Sequence, residues 1–330
     1  MRYSKPITSV LLASLVSITA SVAQGATLSA VDCWRPTNLI SKVWLDKFVA
    51  LADKQTNGVI KINYLGGAEV SPPRKSYRAL QRRQFDMLHC ATSYYVGAMP
   101  EAWGMLATNQ SPAVLRKNGG WELLDEVFQN RVGSRLIAWG ESNVKFNIYA
   151  IDKPKIDKDG LPDLRGKKFR ASGTYKPLLN ALGASTIYVK SSEIYTALQR
   201  GLVKGFGYTD MSVPQLGVSK IIKWRIMPSF YVTNTVTTMN VDSYKALTKK
   251  EKSALLDFSI KYEKAGRIYS GQLRDKDVAE LKKAGVKDLV LKGEARKKYL
   301  NTAYGAIWAS LEGKKSPYTK RLKAKLYKAE

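Results

Sequence analysis

A six-residue phrase occurs twice in this chain, as Tyr77-Arg78-Ala79-Leu80-Gln81-Arg82 and, 118 residues later (195 − 77), as Tyr195-Thr196-Ala197-Leu198-Gln199-Arg200. In each copy Tyr and Leu stand three apart, as on one helical face, with Tyr and Leu packing inward. Each copy runs into a short apolar stretch, Phe85 to Cys90 or Leu202 to Tyr208, so each reads as a helix feeding a strand. One helix–strand unit used twice at domain spacing predicts two similar α/β lobes. Two such lobes predict a ligand held between them.

The remaining segments follow the same grammar. Thr27 to Val31 reads as a first strand, and Leu39 to Asn57 as a first helix, with Leu39, Val43, Phe48 and Leu51 on one side and Thr37 or Asn38 as N-cap. Val59 to Leu65 reads as a strand closed by Gly66-Gly67. Strand, helix, strand, loop, helix, strand is the order of a parallel sheet. Lys145 to Ile151 alternates as a strand, and Lys153 to Pro162, rich in Lys, Asp and Pro, reads as a surface excursion near the crossing into the second lobe. That lobe opens with Asp163 to Ala171, a helix to Leu182 and a strand from Ser185 to Val189. Pro228 to Met239 is β-rich and could return the chain to the first lobe, while Asn240 to Gly266 and Asp275 to Ala284 read as two helices. We assign 1–25 to a signal peptide, 26–148 with 236–275 to lobe one, and 149–235 with 276–330 to lobe two. A chain that crosses twice makes a hinge.

Arg2 and Lys5 precede an apolar run from Ile7 to Val22, and Ser21-Val22-Ala23 or Ala23-Gln24-Gly25 suits a cleavage site. The run is too short and poorly flanked for a stable membrane span, so the expectation is an exported chain beginning near Gln24 or Ala26. Export places Cys33 and Cys90 where a disulfide can persist; both end apolar segments that could be neighbouring strands, so they can bridge or remain two buried thiols. The formal charge of +27 becomes +25 once Arg2 and Lys5 are removed. Such a field attracts anions, and it keeps open a second reading, a basic exported protein that binds polyanions or anionic membrane.

Catalysis is poorly provided for. His89 is the one histidine, set beside Cys90, and no nucleophile elbow, phosphate-cradling Gly-Lys-Ser/Thr loop or metal-ligand cluster occurs in the sequence. We expect no enzyme, no cofactor and no bound metal.

Several stretches, in order, resemble the periplasmic substrate-binding proteins of tripartite ATP-independent periplasmic (TRAP) transporters, the DctP-like family. They are Thr56-Asn57-Gly58-Val59-Ile60-Lys61-Ile62 with Gly66-Gly67, Ala79-Leu80 through Phe85-Asp86-Met87, Asp163 to Arg170, Leu182-Gly183-Ala184, Ser192 to Gly201, and Asn240 before Tyr244-Lys245-Ala246-Leu247. The resemblance implies two α/β lobes with mostly parallel sheets, a ligand cleft between them, a long helix spanning both, and closure on a small organic carboxylate that is passed to membrane subunits. It also implies that Arg170 grips that carboxylate, a task for which a permanently charged planar guanidinium is suited. A sensor that reports to a membrane receptor would use the same fold.

The chain departs from the family pattern at two places. Tyr149 to Ile151 lacks the second arginine of many members, and Lys204 to Asp210 carries Gly207, which cannot ligate a metal, and Tyr208 where others have an amide. From position, the other cleft candidates are Trp34 and Arg35 after the first strand, Glu69 and Arg74 after Gly66-Gly67, Ser93 and Tyr94 after the third strand, and Asn234 in the returning segment. Trp34, Tyr94 and Tyr208 as walls favour an aromatic or partly apolar acid.

Overall fold

The computed structural model describes Met1 and residues 25–329. The expected signal peptide, from Arg2 onward, lies outside the described residues. Two sheets organise the molecule. The first has the order β2-β1-β3-β12-β4, from β1 (Ala26–Asp32), β2 (Ile60–Gly66), β3 (Met87–Ala91), β4 (Ser134–Ala138) and β12 (Thr235–Asn240). The second has the order β13-β11-β5-β10-β8-β9, from β5 (Lys145–Ala150), β8 (Lys168–Arg170), β9 (Ser185–Ile187), β10 (Gly205–Thr209), β11 (Trp224–Val232) and β13 (Lys287–Val290). A two-stranded ribbon, β6 (Lys155–Ile156) with β7 (Pro162–Asp163), occupies the segment read as a surface excursion.

Each sheet is parallel except for one strand. β12 runs against both β3 and β4, and β5 runs against both β10 and β11. These are the strands by which the chain enters a lobe from the other. The crossings are the segments 139–144 and 233–234, which are tied together where the Trp139 indole N–H donates to the Thr233 carbonyl at 2.8 Å.

The repeated phrase forms two short helices, Ser76–Gln81 and Ile194–Gln199, and each leads into a strand as expected. Ala79 and Leu80, like Ala197 and Leu198, are buried. The tyrosines differ: Tyr77 is half-buried and packs against the core beside Tyr95, as expected, whereas Tyr195 is 41% exposed and does not pack inward. A six-residue helix turns a narrow face to its sheet, and Ala and Leu fill it.

A single helix, Lys249–Lys283, replaces the two read from the residues over this stretch and is the long spanning helix that the resemblance implied. Its start is fixed by a capping box in which Thr248 and Glu251 satisfy each other's backbone N–H groups, and Lys282 and Lys283 complement its C-terminal dipole. Gly266 does not break it. The helix passes so close to the first crossing that a Cβ on Gly266 would lie 3.0 Å from the Gly140 carbonyl oxygen, so glycine permits an approach rather than a turn. Leu255, Phe258 and Tyr262 join the core of the first lobe, and Leu281 joins that of the second. At the hinge, Trp139 donates its backbone N–H to Glu263, and Arg267 donates to Ser142.

The last two helices were expected with lobe two. Gly293–Gly313 packs between β11 and the helix Ala102–Leu106, with Tyr231 donating to the Ala303 carbonyl at 2.6 Å. The final helix, Thr319–Leu326, lies against Pro112–Asn118 and Gly120–Val132 of the first lobe, because Leu322 and Leu326 find their apolar cover there. Thr108 and Asn118 hold it by donating to the Leu326 and Lys325 carbonyls. Among the described residues no helix is long and apolar enough to cross a membrane.

Candidate functional site

The carboxyl ends of parallel strands from both sheets, with the amino ends of the reversed strands β5 and β12, meet at one cleft of about 390 Å³ between the lobes. From lobe one come Trp34, just past β1, and Ser93 and Tyr94, in the turn after β3. From lobe two come Arg170, the last residue of β8, and Tyr208 of β10. Asn234 lies in the second crossing and lines the floor, donating to the Ala102 carbonyl at 3.2 Å.

Arg170 is 4% exposed, yet no acidic side chain pairs with it among the described residues. Its Nε donates to the Val189 carbonyl at 2.9 Å, Nη1 to the Gly207 carbonyl at 3.1 Å, and Nη2 to the Ser191 hydroxyl at 3.4 Å. Three of the five N–H donors of a guanidinium are thus used on neutral oxygens, and two remain. Burial pulls its pKa below the usual value, opposed by Tyr175, Tyr208, Tyr188 and Tyr94. Burying a cation against dipoles alone leaves a charge that a bound anion would compensate.

The opposite wall is held by a hydrogen bond. The Trp34 indole N–H donates to the Tyr94 hydroxyl at 3.0 Å, and their rings tilt together at 5.8 Å. Burial pushes the Tyr94 and Tyr208 hydroxyls above the usual tyrosine range, so both are neutral donors near neutral pH.

Two candidates lie elsewhere. Arg35 and Glu69 are exposed and do not line the cleft. The Glu69 carboxylate instead accepts the Gly67 N–H at 2.6 Å, a bond that is the main reason its pKa falls, with Arg35 adding to it. A glycine-rich turn needs its amides satisfied, and the adjacent acid does so locally.

The cleft also holds residues that strand-end reasoning passed over. Tyr188 and Ser191 follow β9, and the same rule that found Tyr208 would have found them. Trp103 and Tyr175 come from helical turns and carry no such signal.

Behind the Trp34 wall lies a buried ionic network. His89, fully buried, stands 3.2 Å from Asp32 and 3.4 Å from Glu141, and its ring stacks on Trp44 at 4.8 Å. Burial alone would lower its pKa, but the two carboxylates raise it to about 9. Glu141 also accepts from the Tyr262 hydroxyl, which ties the spanning helix to the crossing. Fully buried between two carboxylates and outside the cleft lining, the imidazole is placed as a cation that holds these elements together. Cys33 and Cys90 form a disulfide with a Cα separation of 5.1 Å. It joins the ends of β1 and β3, neighbours in register at Val31 and Leu88, one residue before Trp34 and three before Ser93 along the chain.

A family model described as bacterial extracellular solute-binding protein, family 7, matches residues 32–313. An uncharacterised protein of Salmonella typhimurium is 24% identical over 278 residues, which cover 81% of either chain. Among solved structures, a TRAP periplasmic solute-binding protein from Desulfovibrio salexigens with bound orotic acid superposes with a TM-score of 0.74 at 20% identity, covering 90% of this chain and 96% of that one. A counterpart from Rhodoferax ferrireducens with bound malonate gives 0.73 at 20% identity, with the same coverage. At such identities these two structures share the fold.

Proposed function

From the premise that this chain belongs to the bacterial extracellular solute-binding proteins of family 7, the periplasmic receptors of TRAP transporters, we propose that its cleft closes on a small organic carboxylate with an aromatic or partly apolar body. Members of the family are receptors rather than enzymes, and they hand their ligand to the membrane subunits of the transporter. The observation that carries the reading is Arg170, a buried guanidinium without an acidic partner and with two donors unspent. A carboxylate accepts both donors in one plane, and the pairing strengthens as closure excludes water. Tyr208 and Ser191 stand beside Arg170 to bond the same oxygens, while Trp34 and Tyr94 cover the ligand body from the other lobe. That the two solved relatives hold orotic acid and malonate, both carboxylic acids, supports this class of ligand. The basic and then apolar start, Arg2 to Val22, would supply the export route.

A thermal-shift screen of the mature chain against monocarboxylates, dicarboxylates, aromatic acids and sulfonates tests the reading, because a ligand selective for the folded state raises the melting temperature. Arg170→Ala should weaken the best binder by about 2–5 kcal/mol, roughly 30-fold to several thousandfold. If no organic anion shifts the melt, or if the variant keeps the full shift, the cleft reading fails. Binding in the cleft should change little with salt, whereas surface capture of a polyanion falls steeply.

A further inference from the structure

Arg170 is not the only cation on the cleft. Arg74 lines it from lobe one, in the turn before Ser76–Gln81. Arg74 is exposed, its guanidinium lies 5.8 Å from the centroid of the Tyr94 ring, and no ion pair involves it among the described residues. Each lobe thus brings one arginine to the same space, and none of the residues lining that space is acidic. Tyr94 lies within the electrostatic reach of both guanidinium groups and lines the same space. The walls beside it are flat rings, Trp34, Trp103, Tyr188 and Tyr208.

We infer that the ligand is a flat dianion with an acid group at each end of an aromatic body, one end on Arg170 and the other on Arg74. The inference rests on the cleft reading above and goes further by assigning a second anionic group and a rigid body. A monoacid would satisfy Arg170 and leave the field of Arg74 unused. A dianion answers both, and because the two arginines belong to different lobes, it links them across the cleft. Rings stack on the aromatic walls with little loss of internal freedom, whereas a flexible chain must be ordered to reach both ends.

Calorimetric titration of the mature chain with terephthalate, benzoate and succinate tests this. Terephthalate should bind about tenfold or more tighter than benzoate at low salt, the effect of one charge-assisted pair. Arg74→Gln should bring that ratio close to one, and Arg74→Lys should restore part of it, with both variants melting like the unaltered protein when no ligand is present. A ratio near one in the unaltered protein, or a ratio that survives Arg74→Gln, overturns the second anionic site. Succinate binding as tightly as terephthalate overturns the flat body. If neither aromatic acid binds, the inference fails; Arg170-dependent binding of any other organic anion would then leave the cleft reading standing.

Discussion

The two copies of the repeated helix–strand unit share a scaffold and diverge at its end. In both, the helix is six residues long and the strand starts ten residues after the tyrosine, at Met87 (87 − 77) and at Gly205 (205 − 195). In both, the residue six places after the tyrosine adopts the left-handed conformation that ends the helix, Arg83 at φ 54° and Gly201 at φ 67°. The strands then part. Where the first copy has His89 and Cys90, the second has Gly207 and Tyr208. His89 and Cys90 lock β3 to its surroundings through two carboxylates and a disulfide. Gly207 leaves room for the Tyr175 ring and offers its carbonyl to Arg170, and Tyr208 faces the cleft. One framework thus serves rigidity in one lobe and recognition in the other.

The largest test of this contrast is at His89. His89→Leu leaves Asp32 and Glu141 buried without their cation, and should cost about 3–5 kcal/mol in denaturant unfolding. A loss under 1 kcal/mol would break the claim that this copy is a structural lock. The pH dependence has a definite sign. The folded-state pKa of about 9 exceeds the ordinary 6.5, so the stabilisation is complete below pH 6.5 and disappears as pH rises through about 9. Unfolding midpoints at pH 6 and pH 10 should show this fall in the unaltered protein and not in His89→Leu.

Gly207→Ala comes next. A Cβ there would lie 2.1 Å from Tyr175, whose ring is packed against Phe146 and Phe230, so the ring must move. Overpacking of this kind costs about 1–3 kcal/mol, and the shift should also weaken ligand binding. Equal affinity in the two proteins would separate Gly207 from recognition. The smallest effect sharpens the shared part of the scaffold. Arg83→Gly relieves a left-handed arginine and should raise stability by about 1 kcal/mol, read as a higher melting temperature.

The paired lobes were readable in the sequence because the repeat and the apolar runs are local patterns. Seven of the cleft candidates, Arg170, Tyr208, Trp34, Arg74, Ser93, Tyr94 and Asn234, were reached from strand ends, the loops after them and crossings, which is where the cleft opens. Arg35 and Glu69 came from loops of the same kind but face solvent, Arg35 one place past Trp34 and Glu69 turned back onto the Gly67 N–H. Trp103 and Tyr175 reach the cleft through tertiary packing of helical turns, which leaves no periodic trace. The helix Lys249–Lys283, implied by the resemblance, was split in the residue-by-residue reading by Gly266, whose purpose lies in the close approach to Gly140, a contact 126 residues away in sequence (266 − 140). His89 stood out as a lone histidine, but its two partners, Asp32 and Glu141, lie far from it along the chain.

The reversed strand β12 sets an order of assembly. It sits between β3 and β4, so the first sheet remains in two pieces until Thr235–Asn240 is available. The five adjoining strands β11-β5-β10-β8-β9 all lie within residues 145–232 and lack only an edge partner, β13. A chain that emerges N-terminus first, from a ribosome or across a membrane, therefore presents a nearly complete second lobe before the first can be joined. The half of the molecule that comes first in sequence is the later one to close.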